Sequence, residues 1–461
     1  MTGRSSHPHA FPIAQISITS RQLGGAFVGT IAGLVLFSAL LVNPAVGKLT
    51  KGPLIVDYAD VLLGYFLWAM GVGIALLWLA RRIRRAPGWA DRVAVLVVLL
   101  GGVVLADRFL LTRFGLPLWK YDAEIRYRHR ESTVRTLASQ GRPNDHAIIN
   151  RWGFHDTEFP REKPKGEFRA LMIGDSVTMG FGVTYVETFS SQLEGLLDAG
   201  DRRHTTHQAI NAGVHGYSTF QEKVALERSL VFEPDIIFVG FCMNDVTEPF
   251  VVDVELGGTG LDYHGVSQTP NPVMGWLGNE TGVGRLMQAL AARGKTRELE
   301  ARIEIYSVAT MVQESHTSPK MREAWNILLP QMTGLYQGAK TRGIPVVLLI
   351  FPYSFQLLDD KFRDPQRILI EHAAQNGVDV IDTTDAFARL VFDDPGLVEY
   401  LRGRGKSSEE IYAYHEHQVR KYFFDHDHFN EAGHQVVAKL IYDYLAGHEF
   451  IDATPPAGRS D

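Results

Sequence analysis

Cysteine is the scarcest residue in this chain, since Cys242 is the only one among 461 residues. One cysteine cannot close a disulfide within the chain, and it excludes the paired Cys-x-x-Cys motifs of zinc sites and redox-active dithiols. Because exported proteins also fold without disulfides, the shortage does not identify the compartment. The chain also lacks an excess of positive charge, because its formal net charge is −6. A chain without a strongly basic field is not expected to have nucleic acid as its main partner.

Charged side chains are nearly absent from three long stretches close to the N-terminus. Residues 24–42 and 61–80 carry none, and the stretch at about 93–111 is interrupted only by Asp107 and Arg108. An α-helix rises about 1.5 Å per residue, so about 20 apolar residues cross the roughly 30 Å hydrocarbon core of a bilayer. These lengths predict three transmembrane helices. Two other interpretations are buried helices of a soluble domain and, for the first stretch, a cleaved signal peptide.

Basic residues around these stretches predict their orientation. The arginine-rich segment 81–85 follows the second stretch, whereas only Lys48 and Lys51 lie between the first and the second. Short loops rich in Lys and Arg stay in the cytoplasm. The pattern predicts a multi-pass protein of the inner (plasma) membrane, with a cytoplasmic N-terminus and everything after about residue 112 periplasmic or extracellular. The arginines at 126–130 oppose this orientation, but long translocated domains largely escape the charge rule.

From about residue 165 the chain alternates short apolar segments with amphipathic ones. Strands that are apolar throughout and separated by helices are typical of a parallel sheet covered on both faces. We therefore predict a three-layer α/β/α domain at 166–447, with its site at the carboxyl ends of the strands. The predicted strands are Phe168–Ile173, Gln208–Asn211, Asp235–Phe241, Ile344–Phe351 and Val378–Asp382. The predicted helices are Thr188–Leu197, Phe220–Leu230, Met321–Thr341 and a final one after Asn430.

The remaining segments complete the predicted organisation. Residues 1–112 form the membrane anchor, 113–165 a polar connector and 448–461 a C-terminal tail. An insertion at about 247–320 interrupts the sheet pattern with Gly and Pro clusters, and Arg297–Val312 within it has a helical pattern. An insertion this long is typical of a lid, a binding loop or a disordered surface loop. Because it starts directly after a strand, we expect its base at the mouth of the site.

The tripeptide Gly174-Asp175-Ser176 follows the first strand of this domain. A serine between a strand and a helix presents its hydroxyl at the edge of the sheet, beside the free N–H groups of the helix start, which suit a developing oxyanion. Asp and Ser are also common helix caps, so the tripeptide alone is compatible with a nucleophile or a cap. The GxSxG motif of α/β-hydrolases is absent.

Candidate hydrogen-bond donors follow the next two strands. Asn211–Gly216 leaves the second strand with glycines that allow close backbone approach, and Asn244 follows the third strand. A glycine N–H and an amide side chain are both donors that can stabilise an anion beside Ser176. Each segment alone is also compatible with an ordinary turn.

The last candidate segment, 425–428, lies just before the final helix, for which Asn430 is the predicted N-cap. Asp425, three residues before His428, can turn back to hold one imidazole nitrogen while the other faces Ser176. That is the arrangement of nucleophile, base and orienting carboxylate. A metal site is the alternative for these Asp and His residues, but the sequence shows no further ligand cluster elsewhere.

In their order and at these strand ends, the four segments resemble the motif blocks of the SGNH (GDSL) hydrolase superfamily, over roughly residues 165–447. The resemblance implies a flavodoxin-like parallel sheet, in agreement with the strand pattern. It also implies a serine nucleophile with no need for a metal or an organic cofactor. The catalytic residues it implies are Ser176, Asp425 and His428, and the oxyanion hole is formed by Ser176, Gly216 and Asn244.

Some residues near these motifs differ from the family pattern or receive no catalytic role. Met243 stands where many members have glycine, which is expected to alter the floor of the pocket. Asp175 is expected to be structural. Asp427, His426 and His434 are expected to be surface groups.

Together, the resemblance and the predicted anchor imply a membrane-bound serine esterase or O-acyltransferase that acts through an acyl-enzyme, on acetyl esters of cell-envelope glycans. The expected partners are the lipid bilayer, an acylated glycan or other ester substrate, and a membrane acyl-donor protein. Hydrolysis and transfer both stay open at this point, as do the acyl group and its acceptor. The alternative from a different class is a non-catalytic envelope scaffold that uses the fold to bind glycan.

Overall fold

A computed structural model describes residues 20–41, 59–85, 89–114, 119–122, 126–136, 146–246, 250–252, 261–263, 280–282, 284 and 319–453. The chain forms two compact units, one of residues 1–116 with 277–291 and one of residues 117–276 with 292–461. Most of the predicted insertion, including the predicted helix at 297–312, lies outside the described residues.

The described part of the first unit contains three long helices, each of which overlaps one of the three apolar stretches. They are α1 (Ser20–Leu41), α2 (Ala59–Arg85) and α3 (Trp89–Phe114). Val28 and Ala32 of α1 form a buried apolar cluster with Leu76 and Ala80 of α2. Among the residues described, no helix reaches the combination of length and mean hydropathy that a membrane span requires. That the three helices cross a membrane stays a prediction.

The second unit is built around a parallel β-sheet. Its elements, in chain order, are β1 (Trp119–Asp122), β2 (Arg126–His129), β3 (Thr133–Thr136), β4 (His146–Ile149), β5 (Glu167–Ile173), α4 (Ser176–Met179), α5 (Phe189–Gly200), β6 (Thr206–Asn211), α6 (Thr219–Ser229), β7 (Ile236–Cys242), β8 (Phe250–Val252), β9 (Leu261–Tyr263), α7 (Pro319–Lys340), β10 (Val346–Phe351), α8 (Asp364–Gln375), β11 (Asp379–Asp382), α9 (Thr384–Val391), α10 (Pro395–Gly403), α11 (Ser408–Tyr414), α12 (Glu416–Val419) and α13 (Glu431–Gly447). The central sheet has the order β11-β10-β7-β5-β6, and all its pairings are parallel. The pairs β1-β2, β3-β4 and β8-β9 are antiparallel.

The strand order confirms the predicted α/β fold with a parallel sheet, and it is the order of flavodoxin-like proteins. From β5 the chain moves to β6 on one side and then returns across β5 to β7 on the other. The neighbouring strands β5 and β7 therefore flank the point where the direction of winding reverses, which is where such folds bind their ligands. Each of the five predicted strands is present, with its bounds shifted by one or two residues.

Helices cover the sheet on both faces. Connections between parallel strands are right-handed, so α5 and α6, which follow crossovers in opposite directions, lie on opposite faces. The helix α13 packs beside α5, and α7 packs beside α6. Every residue of β7 and of β10 is buried, because these strands have a helix layer on either side. The predicted three-layer arrangement is therefore present.

Two segments that were predicted to lie outside this domain are part of the second unit. The rings of Trp152, Phe154 and Phe159 pack against Phe232, each with its centroid 5.4 Å from that ring. Near the other end of the chain, Ile451 is buried in the same apolar core. These segments therefore pack with the core of the second unit, while the domain limits at 166 and 447 stay a prediction.

Candidate active site

Ser176 lies at the start of α4, directly beyond the carboxyl end of β5 in the central sheet. Asp175 is the N-cap of this short helix, and its Oδ1 accepts a hydrogen bond from the Val177 N–H at 2.9 Å. Of the two roles that the sequence left open for this tripeptide, the helix cap is therefore filled by Asp175. The Ser176 side chain is left for another partner and is almost fully buried, with 3% of the residue exposed.

That partner is His428, which the loop before α13 brings to the same edge of the sheet. His428 Nε2 lies 2.8 Å from Ser176 Oγ, although the two residues are 252 positions apart. On the other side of the ring, Nδ1 lies 2.9 Å from Asp425 Oδ2 and 3.0 Å from its Oδ1. With its proton on Nδ1, the neutral ring donates to Asp425 and accepts from the Ser176 hydroxyl at Nε2. This arrangement can activate the serine as a nucleophile.

The loop is shaped so that the Asp425 carboxylate faces the ring. Asp425 Oδ1 accepts the backbone N–H of Asp427 at 3.1 Å and that of His428 at 2.9 Å. Asn430 then caps α13, with its Oδ1 accepting from the Gly433 N–H at 3.2 Å, as the sequence predicted. The short spacing between Asp425 and His428 is thus a turn closed by side chain and backbone together.

Asp427 is a second carboxylate against the imidazole, so its predicted place on the surface is wrong. Its Oδ1 lies 3.2 Å from His428 Nδ1, and the residue is buried. Burial alone would lower the pKa of His428, but the charges of Asp427 and Asp425 outweigh it and raise that pKa well above its ordinary value. The pKa of Asp425 is held below its ordinary value by the positive charge and the hydrogen bonds of His428, although burial opposes this shift.

His434 was also predicted to be a surface group, and this is wrong as well. The residue is 1% exposed, its ring stacks 5.7 Å from that of Phe189, and its Nδ1 accepts the Phe189 N–H at 3.2 Å. Burial lowers the pKa of His434 to about 3, so the ring is neutral. It joins α13 to the start of α5. His426, by contrast, is exposed as expected.

Asn244 stands beside the serine at the neighbouring strand end. It follows β7 in a single 3-10 turn, Met243–Val246, and its Nδ2 donates to Asp175 Oδ2 at 3.3 Å. Asp175 thus holds both the start of the serine helix and the amide group. Burial raises the pKa of Asp175 to about 6, and the positive charge of His428 opposes this shift. Asp175 is structural, as predicted, and it also orients the amide.

The glycine segment after β6 lies against the serine helix. The Val214 N–H donates to the Gly174 carbonyl at 3.0 Å. A Cβ on Gly213 would lie 2.4 Å from the backbone nitrogen of Met179, so only glycine permits this approach. Gly216 has a φ of +73°, in the left-handed region that favours glycine. These features hold the Gly216 loop at the same edge of the sheet as Ser176 and Asn244.

Phe181 is a site residue that no sequence motif indicated. Its ring centroid lies 4.9 Å from that of His428 and 5.0 Å from that of His215, so it lies between the two imidazoles. The backbone N–H of Phe181 donates to the Ser176 carbonyl at 2.9 Å. Phe181 is half-buried, and it forms an aromatic wall beside the imidazole that faces Ser176.

Carboxylate and imidazole ligand atoms come close enough to hold a metal ion at two places in the described part of the chain. One is Asp425, Asp427 and His428, whose ring nitrogens already face two carboxylates and the serine. The other is Asp201, His204 and His207, which sequence reasoning did not identify as a cluster. The sequence feature that could have indicated this cluster is the regular spacing of three residues from Asp201 to His204 and from His204 to His207, directly after α5.

Comparison with known proteins gives one family and several distant structures. Residues 172–436 match the GDSL-like lipase/acylhydrolase family. No curated protein matches the sequence of the chain. Among solved structures, the acetylxylan esterase of Geobacillus stearothermophilus is 14% identical, with 60% of this chain and 94% of that chain covered and a TM-score of 0.33. The acetyl xylan esterase AlAXEase is 12% identical, with coverage of 60% and 100% and a TM-score of 0.34. A protein of the G-D-S-L family from Desulfitobacterium hafniense is 9% identical, with coverage of 60% and 99% and a TM-score of 0.32.

Proposed function

The chain belongs to the GDSL-like lipase/acylhydrolase family, and we propose that it is a membrane-anchored serine esterase or O-acyltransferase that acts on acetyl esters of cell-envelope glycans. One observation carries the chemistry: the hydrogen-bonded series from Ser176 Oγ through His428 to Asp425, with separations of 2.8 and 2.9 Å. A binding module has no need of such a series, whereas a serine esterase or acyltransferase uses it to activate its nucleophile.

The reaction would proceed in two steps. Ser176 Oγ attacks the ester carbonyl while His428 Nε2 takes its proton, and the alcohol departs with that proton to leave an acyl-enzyme. Water or a sugar hydroxyl then attacks the acyl group, with His428 again taking and returning the proton. The negative charge on the carbonyl oxygen is stabilised by the N–H groups of Ser176 and Gly216 and by the Asn244 amide. No step requires a metal or an organic cofactor.

The proposed membrane anchor is supported by the surface of the three long helices α1, α2 and α3 of the first unit. Its helices expose large apolar side chains to an extent that water would not favour, such as Phe27 at 68% and Trp89 at 80%. The other exposed members are Leu34, Leu67, Ile74, Leu77, Trp78, Val93, Leu96, Val97, Leu100, Val103, Val104 and Leu105. The last turn of α2 contains Arg82, Arg84 and Arg85, which favours a cytoplasmic position for this end. We propose that the N-terminus is cytoplasmic and that the second unit lies in the periplasm or outside the cell.

Reporter fusions test this topology. A reporter that is active only outside the cytoplasm should be active after residue 461 and silent after residue 86. The opposite pattern would contradict the proposed location and, with it, the choice of an envelope glycan as substrate. A silent reporter at both positions would contradict the anchor's proposed orientation as well.

Acetate release from O-acetylated glycans tests the substrate class. The full chain should release acetate from a polymeric O-acetylated glycan, and Ser176→Ala should abolish the release. If acetate appears only when a sugar acceptor is absent, and acetyl groups move to the acceptor when it is present, the chain is a transferase with a membrane acyl-donor protein as its expected partner. Glycan binding without acetate release or transfer would favour the alternative of a non-catalytic scaffold.

A further inference from the structure

A second cluster of acid and histidine side chains lies at the end of the sheet opposite Ser176. It is formed by Asp201, just after α5, by His204 in the turn that follows, and by His207 near the start of β6. Asp201 Oδ2 is 2.7 Å from His204 Nδ1 and 3.0 Å from His207 Nε2. These three atoms all lie within 4.8 Å of one another. One point in space is therefore within reach of two imidazoles and one carboxylate.

His207 is held in the manner of a histidine that binds a metal. Its Nδ1 lies 2.7 Å from Asp198 Oδ1, while its Nε2 faces Asp201. A neutral imidazole has one proton, so it can donate to only one of these two carboxylates. With a metal cation at Nε2, the ring can keep its one proton on Nδ1 and donate it to Asp198. A carboxylate on the far nitrogen is the usual device that orients a metal-binding histidine.

The two oxygens of Asp201 have separate tasks. Oδ1 accepts the backbone N–H groups of Arg203 at 2.9 Å and of Asp452 at 2.8 Å. Oδ2 faces only the two histidine rings among the hydrogen bonds of the described residues. The side chains of Asp201 and His207 are buried, whereas that of His204 is 20% exposed. A cation can therefore approach along His204 and meet a carboxylate oxygen that is already oriented.

We propose that Asp201 Oδ2, His204 Nδ1 and His207 Nε2 bind a Zn²⁺ ion, with water as the fourth ligand. Two imidazoles and one carboxylate form a common zinc ligand set, with bonds of about 2.0–2.2 Å. A tetrahedron with such bonds separates its ligand atoms by roughly 3.3 Å. The present separations of 2.7 and 3.0 Å from Asp201 Oδ2 would open by about half an ångström, and the two imidazole nitrogens, which lie within 4.8 Å of each other, would adjust to the same spacing.

The zinc ion would have a structural role. Within β6, His207 and Asn211 are four residues apart, or about 13 Å at 3.3 Å per residue, which places the cluster far from the ester chemistry. Through Asp201 the cluster also holds the end of the chain, because the Asp452 N–H bonds to Asp201 and the Arg202 N–H donates to the Asp452 carbonyl at 3.1 Å. Zinc should therefore stabilise the fold and fasten its C-terminal segment without changing turnover.

Calorimetric titration of zinc chloride into the untagged, chelator-treated full chain in detergent tests the proposal. We expect one tightly bound equivalent, a rise in Tm, and a tetrahedral d–d spectrum when Co²⁺ replaces Zn²⁺. The double variant H204Q/H207Q should lose all three, and Asp198→Asn should weaken binding by about 10–100-fold. The exposed His417 provides a matched control, because His417→Gln should bind like the wild type.

The variant His428→Ala tests whether zinc binds instead at the cluster of Asp425, Asp427 and His428. If the proposal is correct, this variant still binds one equivalent of zinc. Binding that disappears in His428→Ala and persists in H204Q/H207Q would overturn the proposal. The absence of binding below millimolar zinc would also overturn the proposal, and would mean that these side chains only hydrogen-bond to one another. Because His204 is partly exposed, the single variant His204→Gln is expected to fold, and its unaltered zinc affinity would contradict the site even if the double variant failed to fold.

Discussion

The two acid and histidine clusters of the second unit contain the same kinds of side chain and differ in the third partner. In one, His428 has carboxylates at Nδ1 and the Ser176 hydroxyl at Nε2. In the other, His207 has carboxylates at both nitrogens, and no hydroxyl of the described residues is hydrogen-bonded to its ring. The first is arranged so that it can pass a proton to and from a serine, whereas for the second we propose that it binds a cation. The position in the fold agrees with this, since the first lies at the carboxyl ends of the strands.

The largest expected effect separates the two clusters directly. Ser176→Ala and His428→Ala should each lower kcat for p-nitrophenyl acetate by on the order of 10⁴–10⁶, because nucleophile and base act as a unit. Combining the two changes should cost little more than either alone. The control His417→Gln, an exposed histidine, should leave kcat unchanged. Losses that multiply in the double variant would show that the two residues act independently, against the proposed mechanism.

Asn244→Ala is expected to follow, with a loss of about 10²–10³ in kcat, the typical cost of removing one oxyanion donor. The amide is positioned by Asp175 and is expected to donate to the transition state more strongly than to the bound ester. KM should therefore change little. Steady-state kinetics on p-nitrophenyl acetate measures the split, and a rise in KM at constant kcat would assign Asn244 to substrate binding instead.

The two carboxylates at His428 should differ in kind. Asp425→Asn removes the carboxylate that accepts from Nδ1 at 2.9 Å and orients the ring, so kcat should fall by about 10²–10⁴. Asp427→Asn removes mainly a charge and should change kcat by less than about tenfold. The comparison of the two variants is made at a pH on the plateau of each rate profile. A larger loss in Asp427→Asn than in Asp425→Asn would reverse the assignment of the orienting carboxylate.

The pH profile of Asp427→Asn gives a sharper test of the same pair. Asp427 and Asp425 raise the pKa of His428, and in the proposed mechanism attack by Ser176 requires the neutral ring. The acid limb of kcat/KM therefore follows this pKa, and it should move to lower pH when the Asp427 charge is removed. The exposed carboxylate Asp443 is the control, since Asp443→Asn should leave the limb in place. A limb that moves to higher pH would contradict the stated charge effect.

The smallest effect is expected at the second cluster. His204→Gln should change kcat for p-nitrophenyl acetate by less than about twofold, because the cluster lies at the opposite end of β6 from the reacting serine. Thermal unfolding measured with and without zinc should show a rise in Tm for the wild type and none for this variant. A large loss of kcat would mean that the cluster influences the reaction and that the contrast between the two clusters is wrong.

Sequence pattern was sufficient for the sheet and for the polar residues at its edge. Strands such as β7 and β10 are buried on both faces, so a run of apolar residues marks them clearly. Ser176 and Asn244 follow such runs directly, and their position at the sheet edge is a consequence of parallel strands ending together. The pairing of Asp425 with His428 followed from a spacing that a single turn can close.

Other features could not be obtained in this way, because burial depends on how a loop folds. Asp427 directly precedes His428 and Asp425 lies three residues before it, but only the fold of the turn decides that the Asp427 side chain is also buried beside the ring. The cluster at Asp201 forms because β6 returns beside the end of α5. His434 is a different case: it lies three residues before Val437 on the buried face of α13, so helical periodicity would have identified it.

Covalent labelling tests the central claim most directly. The full chain should be treated with a serine-directed phosphonate and its adduct located by mass spectrometry of the digested protein. The account predicts a single adduct on the peptide that contains Ser176, formed much more slowly in His428→Ala and not at all in Ser176→Ala. An absence of any adduct in the wild type, or the same adduct in Ser176→Ala, would contradict Ser176 as the nucleophile.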